Sequence, residues 1–585
     1  MAKHERSGRS RGAGAKQSAN RQMERGAVVK DHGGRFSVAL VYPNAYEVGS
    51  LNLGFQKVYA MLNARDDVVC ERAFVDGKAT GEIRTLETSR RLNEFDAVAF
   101  SVTFESDYLN VLSALESSKI PLRRRSAQDP LVFAGGICLT LNPEPLAPFL
   151  DFAVIGEAEE ALNPLFDILT SQEVWELKTL ASIPGVYVPS GYTPVYGDDG
   201  LIVRVEVADG FPLRVKRLWN IGSVTNPNVS VIDAPGAAFH GMRLIEIGKG
   251  CGKHCRFCAA GYAYRPTRHA DTEAVIKAID DGLKEGKRIG LVGSAVGDHP
   301  GIEEIFGHIV SHGGKFSVSS LRLDRLTSSM LENLAAGGLH TITVAPEAGA
   351  EALRLRINKE LLDETILKAV GRIAHAGPFN IKLYFLVGLP GETMDDVLMI
   401  PELVTKIHNV MITGGRERGR IGAISVGADA FVPKPFTPFQ WEPFEGVKAV
   451  EAKLRAVRKG LEGIPNLTVH LGSARQSRVH AVLSVGDRRV AEPLEMAMKN
   501  GGDWAAAFRQ WGSDPDFYAT RRKSAEEIMP WDIIDYGLRE DYLLREHERF
   551  EKGKMMPECP PPGDECRRCG EFYGVCAPGV KEDER

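Results

Sequence analysis

The sequence lacks any apolar run near the roughly 20 residues that a membrane-spanning helix needs. It also lacks a secretory signal, because residues 1–25 hold seven Lys/Arg, two Glu and many Ser and Gly without an apolar core. These absences predict a cytoplasmic protein with no membrane partner. No repeat with a period of 20 to 50 residues is present, which excludes a solenoid or a propeller.

A large excess of one charge is also missing. The formal net charge of the 585 residues is −5, with 43% apolar and 25% charged residues, as in ordinary globular domains. This balance excludes a protein coated in nucleic acid but leaves a local basic site open. We expect residues 1–30 to form a disordered basic tail, and only this tail supports nucleic acid as a partner.

Cysteine is scarce and unevenly placed. Three of the nine cysteines fall within residues 251–258 and four within residues 559–576, whereas Cys70 and Cys138 stand alone. A secreted disulfide framework spreads its cysteines among small loops. The two tight groups therefore predict metal sites in a reducing compartment.

Residues 31–180 alternate strand and helix patterns. Apolar strands are predicted at 36–42, 96–101, 131–134 and 152–155, with helical stretches between them. This alternation is typical of an α/β, Rossmann-like domain with a parallel sheet and helices on both faces. Ligands of such sheets bind beyond the carboxyl ends of the strands.

The remaining chain divides into four predicted parts. Residues 181–240 are rich in turn signals, including Asp199-Gly200, and predict a β linker. Residues 241–445 carry about six strand–helix units, which predict a partial or complete β/α (TIM-type) barrel with its active site at the carboxyl ends of the strands. We expect a helical region at 446–550 and a cysteine-bearing end at 551–585.

The first cysteine group directly follows the first predicted barrel strand. Cys251, Cys255 and Cys258 are separated by three residues and then two, and Gly250 and Gly252 allow the loop to approach a ligand closely. Three thiolates on a four-iron cubane leave one iron open for chemistry. A zinc site, with His254 as a fourth ligand, is the alternative interpretation.

The CxxxCxxC spacing, with Phe257 before its last cysteine, resembles the radical S-adenosylmethionine (SAM) superfamily. The resemblance implies a 4Fe–4S cluster on these cysteines, a SAM molecule on the open iron and an electron donor such as flavodoxin or ferredoxin. It implies that Phe257 is part of the cofactor site. It further implies reductive cleavage of SAM to start radical chemistry on a substrate that the sequence does not name.

Two later barrel segments also resemble that superfamily. Gly293 and Ser294 follow the second barrel strand, where the superfamily contacts the methionine end of SAM, although the usual GGE form is absent. Glu347 follows a later strand, where a polar residue often binds SAM. A turn or a helix cap would explain each of them equally well.

The amino-terminal domain resembles the cobalamin-binding class of radical SAM proteins, an uncharacterised Fe–S oxidoreductase-like family. Gly135-Gly136 and Glu157 match its motifs, and Ser101 and Thr103 lie where that class contacts the cofactor. The DxHxxG motif, whose histidine ligates cobalt in many cobalamin domains, is absent. Cobalt would therefore lack this ligand, or the domain has lost the cofactor and serves packing or substrate binding.

The second cysteine group has spacings of six, two and six residues. Four thiolates suffice for structural zinc or for a second 4Fe–4S cluster, and the sequence does not choose between them. The predicted ligands are Cys559, Cys566, Cys569 and Cys576.

These features predict a radical SAM enzyme, with cobalamin-dependent methylation of a carbon atom as one reaction. A cobalamin-independent reaction, such as methylthiolation of tRNA, ring formation or rearrangement, is the alternative. A non-catalytic Fe–S electron-transfer protein is a second alternative. The catalytic side chains and the substrate are not evident from the sequence.

Overall fold

The structure, a computed structural model, describes residues 24–76, 81–171, 176–220, 222, 224–234, 239–319, 321–556 and 569. Across those residues, every helix is too short or too polar to cross a bilayer. Most of the basic tail lies outside the described residues.

The amino-terminal region forms a six-stranded sheet in the order β2-β1-β3-β4-β5-β6. The first five strands are parallel and β6 is antiparallel to β5. The strands are β1 (Phe36–Tyr42), β2 (Val68–Phe74), β3 (Ala97–Ser101), β4 (Leu131–Gly135), β5 (Phe152–Val154) and β6 (Val186–Tyr187). The four predicted strands are confirmed, and β2 is an addition.

Both faces of this sheet are covered. Val38 and Leu40 of β1 belong to one hydrophobic core, whereas Ala39 and Val41 belong to another on the opposite face. Alternate side chains of a strand point to opposite faces, so a strand buried on both sides reads as a continuous apolar run. The predicted arrangement, with helices on both faces, is therefore confirmed.

The linker contains a hairpin and a pairing to the distant carboxyl-terminal region. Its strands are β7 (Tyr192–Tyr196), β8 (Ile202–Val207) and β9 (Val215–Lys216), and the predicted turn Asp199-Gly200 joins β7 to β8. β9 pairs in parallel with β18 (Ile534–Asp535), which fixes the carboxyl-terminal region beside the linker.

The following region contains two four-stranded sheets, in the orders β11-β10-β12-β13 and β14-β15-β16-β17. All neighbouring pairs except β10–β11 are parallel. Among the described residues no ladder joins β13 to β14, so the strands form two half-barrel sheets. They are β10 (Met242–Lys249), β11 (Arg268–His269), β12 (Arg288–Gly293), β13 (Phe316–Val318), β14 (Thr341–Glu347), β15 (Asn380–Val387), β16 (Ile424–Ala430) and β17 (Leu467–Leu471).

The helices between these strands cover one face of each sheet. The helix Ile302–Ser311 buries Ile302, Ile305, Phe306 and Ile309, whose spacing of three and four residues places them on one helix face. The α-helices of the amino-terminal region are Tyr46–Gly49, Leu53–Ala64, Tyr108–Ser117, Ile137–Leu141, Leu162–Ser171 and Leu177–Leu180. Those of the two half-barrel sheets are Ala260–Ala263, Thr272–Lys284, Ile302–Ser311, Ser328–Ala336, Glu351–Arg356, Asp363–Ala376, Met394–Glu417 and Val447–Leu461.

The carboxyl-terminal region is largely helical and packs on both preceding regions. Its helices are Ala474–Val485, Ala491–Lys499, Trp504–Gln510, Pro515–Ala519 and Tyr542–Glu551. The proline-rich segment 431–441 is buried here, with Phe439 fully enclosed and the amide oxygen of Gln440 accepting a hydrogen bond from the Trp531 indole at 3.1 Å. This segment therefore packs across the molecule.

Candidate functional site

The three clustered cysteines lie on the loop that directly follows β10. Gly250 begins the loop with a φ of 78°, and a Cβ atom there would lie 2.6 Å from the carbonyl oxygen of Tyr264. Only glycine fits this combination of left-handed backbone and close approach. The loop ends in the short helix Ala260–Ala263.

The three thiols are partly enclosed and close enough to influence one another. Burial raises the pKa of Cys255 to about 12, and the neighbouring Cys258 and Cys251 add to this effect. Burial likewise raises the pKa of Cys251 and of Cys258. Such thiols become good ligands when a metal supplies the positive charge that stabilises their thiolates.

A buried ion pair lies beside this loop. The ammonium group of Lys359 is 3.0 Å from a carboxylate oxygen of Glu347, which stands at the end of β14 with a φ of 72°. Burial alone would lower the pKa of Lys359, but the Glu347 carboxylate and the Cys255 thiol raise it. A non-glycine residue with positive φ at a strand end is typical of functional sites.

The donor chemistry of the loop is compatible with a cubane cluster. Among the described residues no three His, Cys, Asp or Glu side chains gather around one ion-sized point. A cubane does not require this arrangement, because each thiolate binds a different iron. The Nδ1 atom of His254 contacts Arg265 and, at 3.3 Å, the Tyr542 hydroxyl, so this nitrogen is engaged away from the three thiols.

Contacts from the carboxyl-terminal region hold the loop from behind. The fully buried Arg256 donates hydrogen bonds to the carbonyl oxygens of Arg356 and, at 2.6 Å, Lys554. Phe257 packs on a small apolar cluster that includes Phe550. A part of the chain nearly 300 residues away in sequence thus helps to fix the position of the loop. The predicted cofactor role of Phe257 stays a prediction.

A cavity of about 670 Å³ opens at the carboxyl ends of strands in the amino-terminal sheet and in the sheet β11-β10-β12-β13. On the barrel side it is lined by Gly248, Lys249 and Gly250 after β10 and by Gly293 and Ser294 after β12. On the amino-terminal side it is lined by Ser101, Thr103, Gly135, Gly136 and Glu157. Some predicted site residues of the two regions therefore line one cavity, whereas Cys251, Cys255, Cys258, Phe257 and Glu347 are not among its lining residues. Their individual roles stay predictions.

Part of this cavity is an apolar slot within the amino-terminal region. Leu40, Ala99 and Phe133 of the sheet form one wall, and Val58 and Met61 of the helix Leu53–Ala64 form the other. The small side chain of Ala99 and the bare backbone of Gly135 keep the slot open. Pockets of this size and apolar character typically hold a cofactor or small molecule.

Two of the predicted contacts in this region are already engaged. The hydroxyl groups of Thr103 and Tyr42 form a hydrogen bond of 2.7 Å. The φ of Gly136 is 111°, and a Cβ atom there would collide with the carbonyl oxygen of Val102 at 2.4 Å. Gly136 is therefore required by the turn itself, whatever binds beside it.

Glu157 forms an ion-pair cluster between the two regions. Its carboxylate contacts the guanidinium of Arg268 and, at 3.1 Å, the ammonium of Lys249, and it accepts a hydrogen bond from the backbone of Asn220 at 3.0 Å. Burial alone would raise the pKa of Glu157, but Lys249 and Arg268 lower it. The carboxylate therefore joins the regions at the cavity wall. Nothing in the sequence pattern identified Lys249 and Arg268 as its partners.

Most of the second cysteine group cannot be placed. Cys559, Cys566 and Cys576 lie outside the described residues. Cys569 is buried, and its carbonyl oxygen accepts a hydrogen bond of 3.0 Å from the backbone of Arg539. Zinc and a second cluster both stay predictions.

Comparison with known proteins identifies two segments. Residues 245–404 match the family model of the radical SAM superfamily. Residues 54–189 match a model described as radical SAM proteins, N-terminal.

Two curated proteins are similar to this chain. An uncharacterized protein of Methanocaldococcus jannaschii is 27% identical over 469 residues, which cover 78% of this chain and 90% of that protein. A tRNA-2-methylthio-N(6)-dimethylallyladenosine synthase of Ehrlichia canis is 25% identical over 180 residues, which cover 28% of this chain and 40% of that protein.

Two solved structures also show similarity. The radical SAM methyltransferase TsrM from Kitasatospora setae, with cobalamin and a 4Fe–4S cluster bound, has a TM-score of 0.49 and 12% identity, covering 80% of this chain and 99% of that chain. The cobalamin-dependent SAM radical enzyme OxsB has a TM-score of 0.41 and 16% identity, covering 63% of this chain and 52% of that chain.

The family matches agree with the position of the cysteine loop after the first strand of the barrel region, and the predicted resemblance to the superfamily is confirmed. The chain therefore contains a radical SAM domain, preceded by the N-terminal domain of radical SAM proteins.

Proposed function

We propose that this protein is a radical SAM enzyme that also binds cobalamin and transfers a methyl group to a carbon atom of its substrate. The observation that supports this proposal is the cavity that extends from the carboxyl edge of the amino-terminal sheet to Gly250, at the start of the cysteine loop. Two cofactors bound at these edges would lie on opposite sides of this cavity.

A radical SAM domain implies a 4Fe–4S cluster and SAM. Cys251, Cys255 and Cys258 would hold the cluster, and their spacing leaves one iron without a thiolate. When bound, this cluster supplies the electron that cleaves SAM. Gly293 and Ser294 expose backbone beside that position, and Glu347 is held towards it by Lys359.

The amino-terminal half of the cavity fits part of a large, partly apolar cofactor. The slot between Leu40, Phe133 and Met61 would accept an apolar ring, and Gly135 leaves backbone accessible at its mouth. None of the described residues that line the cavity is a histidine. Cobalamin would therefore bind here without a histidine from this wall on its metal.

The buried ion pairs around the cavity would exclude water from the reaction. Glu157, Lys249 and Arg268 close the wall between the two regions with groups that satisfy one another. Charged groups that are paired within the protein cost less to bury than single ones, so this wall can be both polar and dry.

The radical SAM assignment is tested by anaerobic reconstitution. We expect full-length protein, incubated with iron, sulfide, dithionite and SAM, to bind about four irons per chain at this site and to produce 5′-deoxyadenosine. Protein that carries a cubane but releases no 5′-deoxyadenosine above a SAM-free control would instead support an electron-transfer protein.

Cobalamin binding is tested by titration with hydroxocobalamin and by the variant Gly135→Leu. A Cβ atom at Gly135 would have only ordinary contacts, at 3.6 Å or more, so the longer side chain should fill the slot without disturbing the fold. We expect at least tenfold weaker cobalamin binding with unchanged SAM cleavage. Gly307→Leu, at a helix position with open space around it, is the matched control.

Equal cobalamin binding by wild type and Gly135→Leu would contradict the proposed position. A wild type that cleaves SAM but binds no corrinoid would remove the methyl-transfer proposal. It would leave a cobalamin-independent reaction, for which the similarity to the Ehrlichia canis tRNA-2-methylthio-N(6)-dimethylallyladenosine synthase offers the first candidate.

A further inference from the structure

The sheet β14–β17 has two chemically different faces. Ile381, Leu383 and Phe385 of β15 are buried in the core with the helices, whereas Lys382 and Tyr384, between them, are partly accessible. Side chains alternate between faces along a strand, so Lys382 and Tyr384 lie on the face opposite the helices. We call this face of β14–β17 the inner face, because it corresponds to the interior of a β/α barrel.

Strand register places polar side chains of the inner face in rows. Lys382 pairs with Thr343 of β14 and Ser425 of β16, and Ser425 pairs with Thr468 of β17. One step closer to the carboxyl edge, Tyr384 pairs with Gly427, and Gly427 pairs with His470. The interior of an ordinary β/α barrel is filled with branched apolar side chains. Here it presents hydroxyl groups, an imidazole, a phenol and an ammonium, with the exposed carboxylate of Asp429 one row further towards the carboxyl edge.

Lys382 has no carboxylate partner among the described residues. Its one described contact is with the ring of Tyr384, whose centroid lies 4.9 Å from the ammonium nitrogen. By contrast, Lys359 and Lys453, which are also partly or fully buried, each contact a glutamate within 3.1 Å. An ammonium group without a carboxylate partner among these residues can donate charge-assisted hydrogen bonds to an anionic ligand.

The Tyr384 ring packs over a glycine on this face. A Cβ atom at Gly427 would lie 2.9 Å from the Tyr384 ring, so only glycine accommodates the ring there. Among the described residues, neither the Tyr384 hydroxyl nor the His470 ring has a hydrogen-bond partner, and both are exposed. They are available to a ligand that is bound by Lys382.

The distance from this row to the radical SAM site sets the size of such a ligand. Glu347 of β14 pairs with Phe385, three residues after Lys382 on β15, because the register of β14 shifts between Val344 and Glu347. At a rise of about 3.3 Å per residue, the row of Lys382 lies roughly 10 Å below the level of Glu347.

We infer that the inner face of β14–β17 binds the substrate, and that this substrate carries an acidic group, a carboxylate or a phosphate, which pairs with Lys382. The reacting carbon lies roughly 10 Å or more from that group, near the carboxyl edge of the strands. Tyr384 and His470 contact the part between them. This inference depends on the proposed function for the identity of the reacting edge, but the acid-binding face itself does not.

The test uses full-length, anaerobically reconstituted protein and three probes of similar size: 3-phenylpropionate, phenyl phosphate and the neutral 3-phenylpropanol. Binding is measured by saturation-transfer NMR and by calorimetry. We expect one of the two acids to bind at least tenfold more tightly than the alcohol, and the stronger acid identifies the group. Lys382→Met should abolish this preference, whereas Lys382→Arg should retain it.

Lys277→Met, on the exposed side of the helix Thr272–Lys284, is the matched control and should bind all probes as wild type does. The inference is overturned if neither acid is preferred, or if Lys382→Met keeps the preference. SAM cleavage is measured on the same samples. Cleavage without acid preference defeats only this inference, whereas acid preference without cleavage defeats only the proposed function.

Discussion

The carboxyl edge of the amino-terminal sheet and the carboxyl edge of the barrel region meet at one cavity, but these two edges would bind their ligands in different ways. The barrel edge presents chemically reactive side chains: three thiols on one loop and the Glu347–Lys359 pair. At the amino-terminal edge, Thr103 is hydrogen-bonded to Tyr42, and Glu157 forms an ion pair with Arg268. The groups that line the cavity there are largely glycine backbone and an apolar slot. The barrel edge would thus bind its ligands through particular reactive side chains, whereas the amino-terminal edge would bind its ligand mainly through the shape of the cavity.

The largest expected effect lies at the barrel edge. Cys255→Ala should lose the cluster, so that iron content and SAM cleavage fall to background, because a cubane held by two thiolates is labile. Cys70→Ala is the matched control, since Cys70 is buried in the amino-terminal core and far from this loop in the fold. Unchanged iron content in Cys255→Ala would show that this loop does not hold the cluster.

At the amino-terminal edge, we expect substitutions to affect the stability of the protein more than its reaction. Arg268→Met leaves the buried Glu157 carboxylate poorly compensated, and we expect a loss of about 3 kcal/mol in the free energy of unfolding at pH 7, measured with urea. Arg204→Met, which breaks the exposed pair with Glu206, should cost at most about 1 kcal/mol. Equal effects would show that the ion-pair cluster does not join the regions.

The pair of Glu157 and Arg268 also predicts how the free energy of unfolding depends on pH. The pKa of Glu157 is lowered in the folded protein, so its stabilising contribution is complete above the unfolded-state pKa of about 4.3. It is lost as the pH falls through the lower, folded-state pKa. The stability difference between wild type and Arg268→Met should therefore be constant from pH 7 to about 5 and shrink below about pH 4. A difference that grows on acidification would contradict this assignment.

A smaller effect is expected at the ion pair beside the cysteines. Glu347→Gln removes the charge that Lys359 contacts, and we expect SAM cleavage to fall by about 10- to 100-fold with iron content unchanged. Glu364→Gln, in an exposed pair with Lys368, is the control. A loss of iron in Glu347→Gln would instead assign this glutamate to holding the loop.

The smallest expected effect comes from comparing two glycine substitutions, which distinguishes the cost of backbone strain from the cost of a steric collision. Gly250 and Gly286 both have positive φ, but a Cβ atom would collide with Tyr264 at Gly250 and meet nothing within 4 Å at Gly286. Gly286→Ala should cost about 1 kcal/mol through strain alone. Gly250→Ala should cost more and also reduce the yield of reconstituted cluster. Equal costs would show that the loop tolerates the extra methyl group.

Sequence reasoning located the strands whose side chains are apolar throughout. It missed β2, because Glu71 and Arg72 interrupt that strand, although both are buried. Distant partners make this possible: Arg72 contacts Glu24 and Glu87, and Glu71 contacts His32. It also missed β17, in which Leu467, Val469 and Leu471 alternate with the exposed Thr468 and His470 over only five residues.

The sequence by itself determined the cluster loop, because three cysteines and their glycines lie within nine consecutive positions. It also determined the parallel sheets, since apolar runs and turns are local properties of the chain. Only the tertiary structure decided that Glu157 pairs with Arg268, and that Lys382 has no carboxylate partner among the described residues. Whether a charge is paired depends on residues far apart in sequence, and the spacing of residues along the chain does not contain that information.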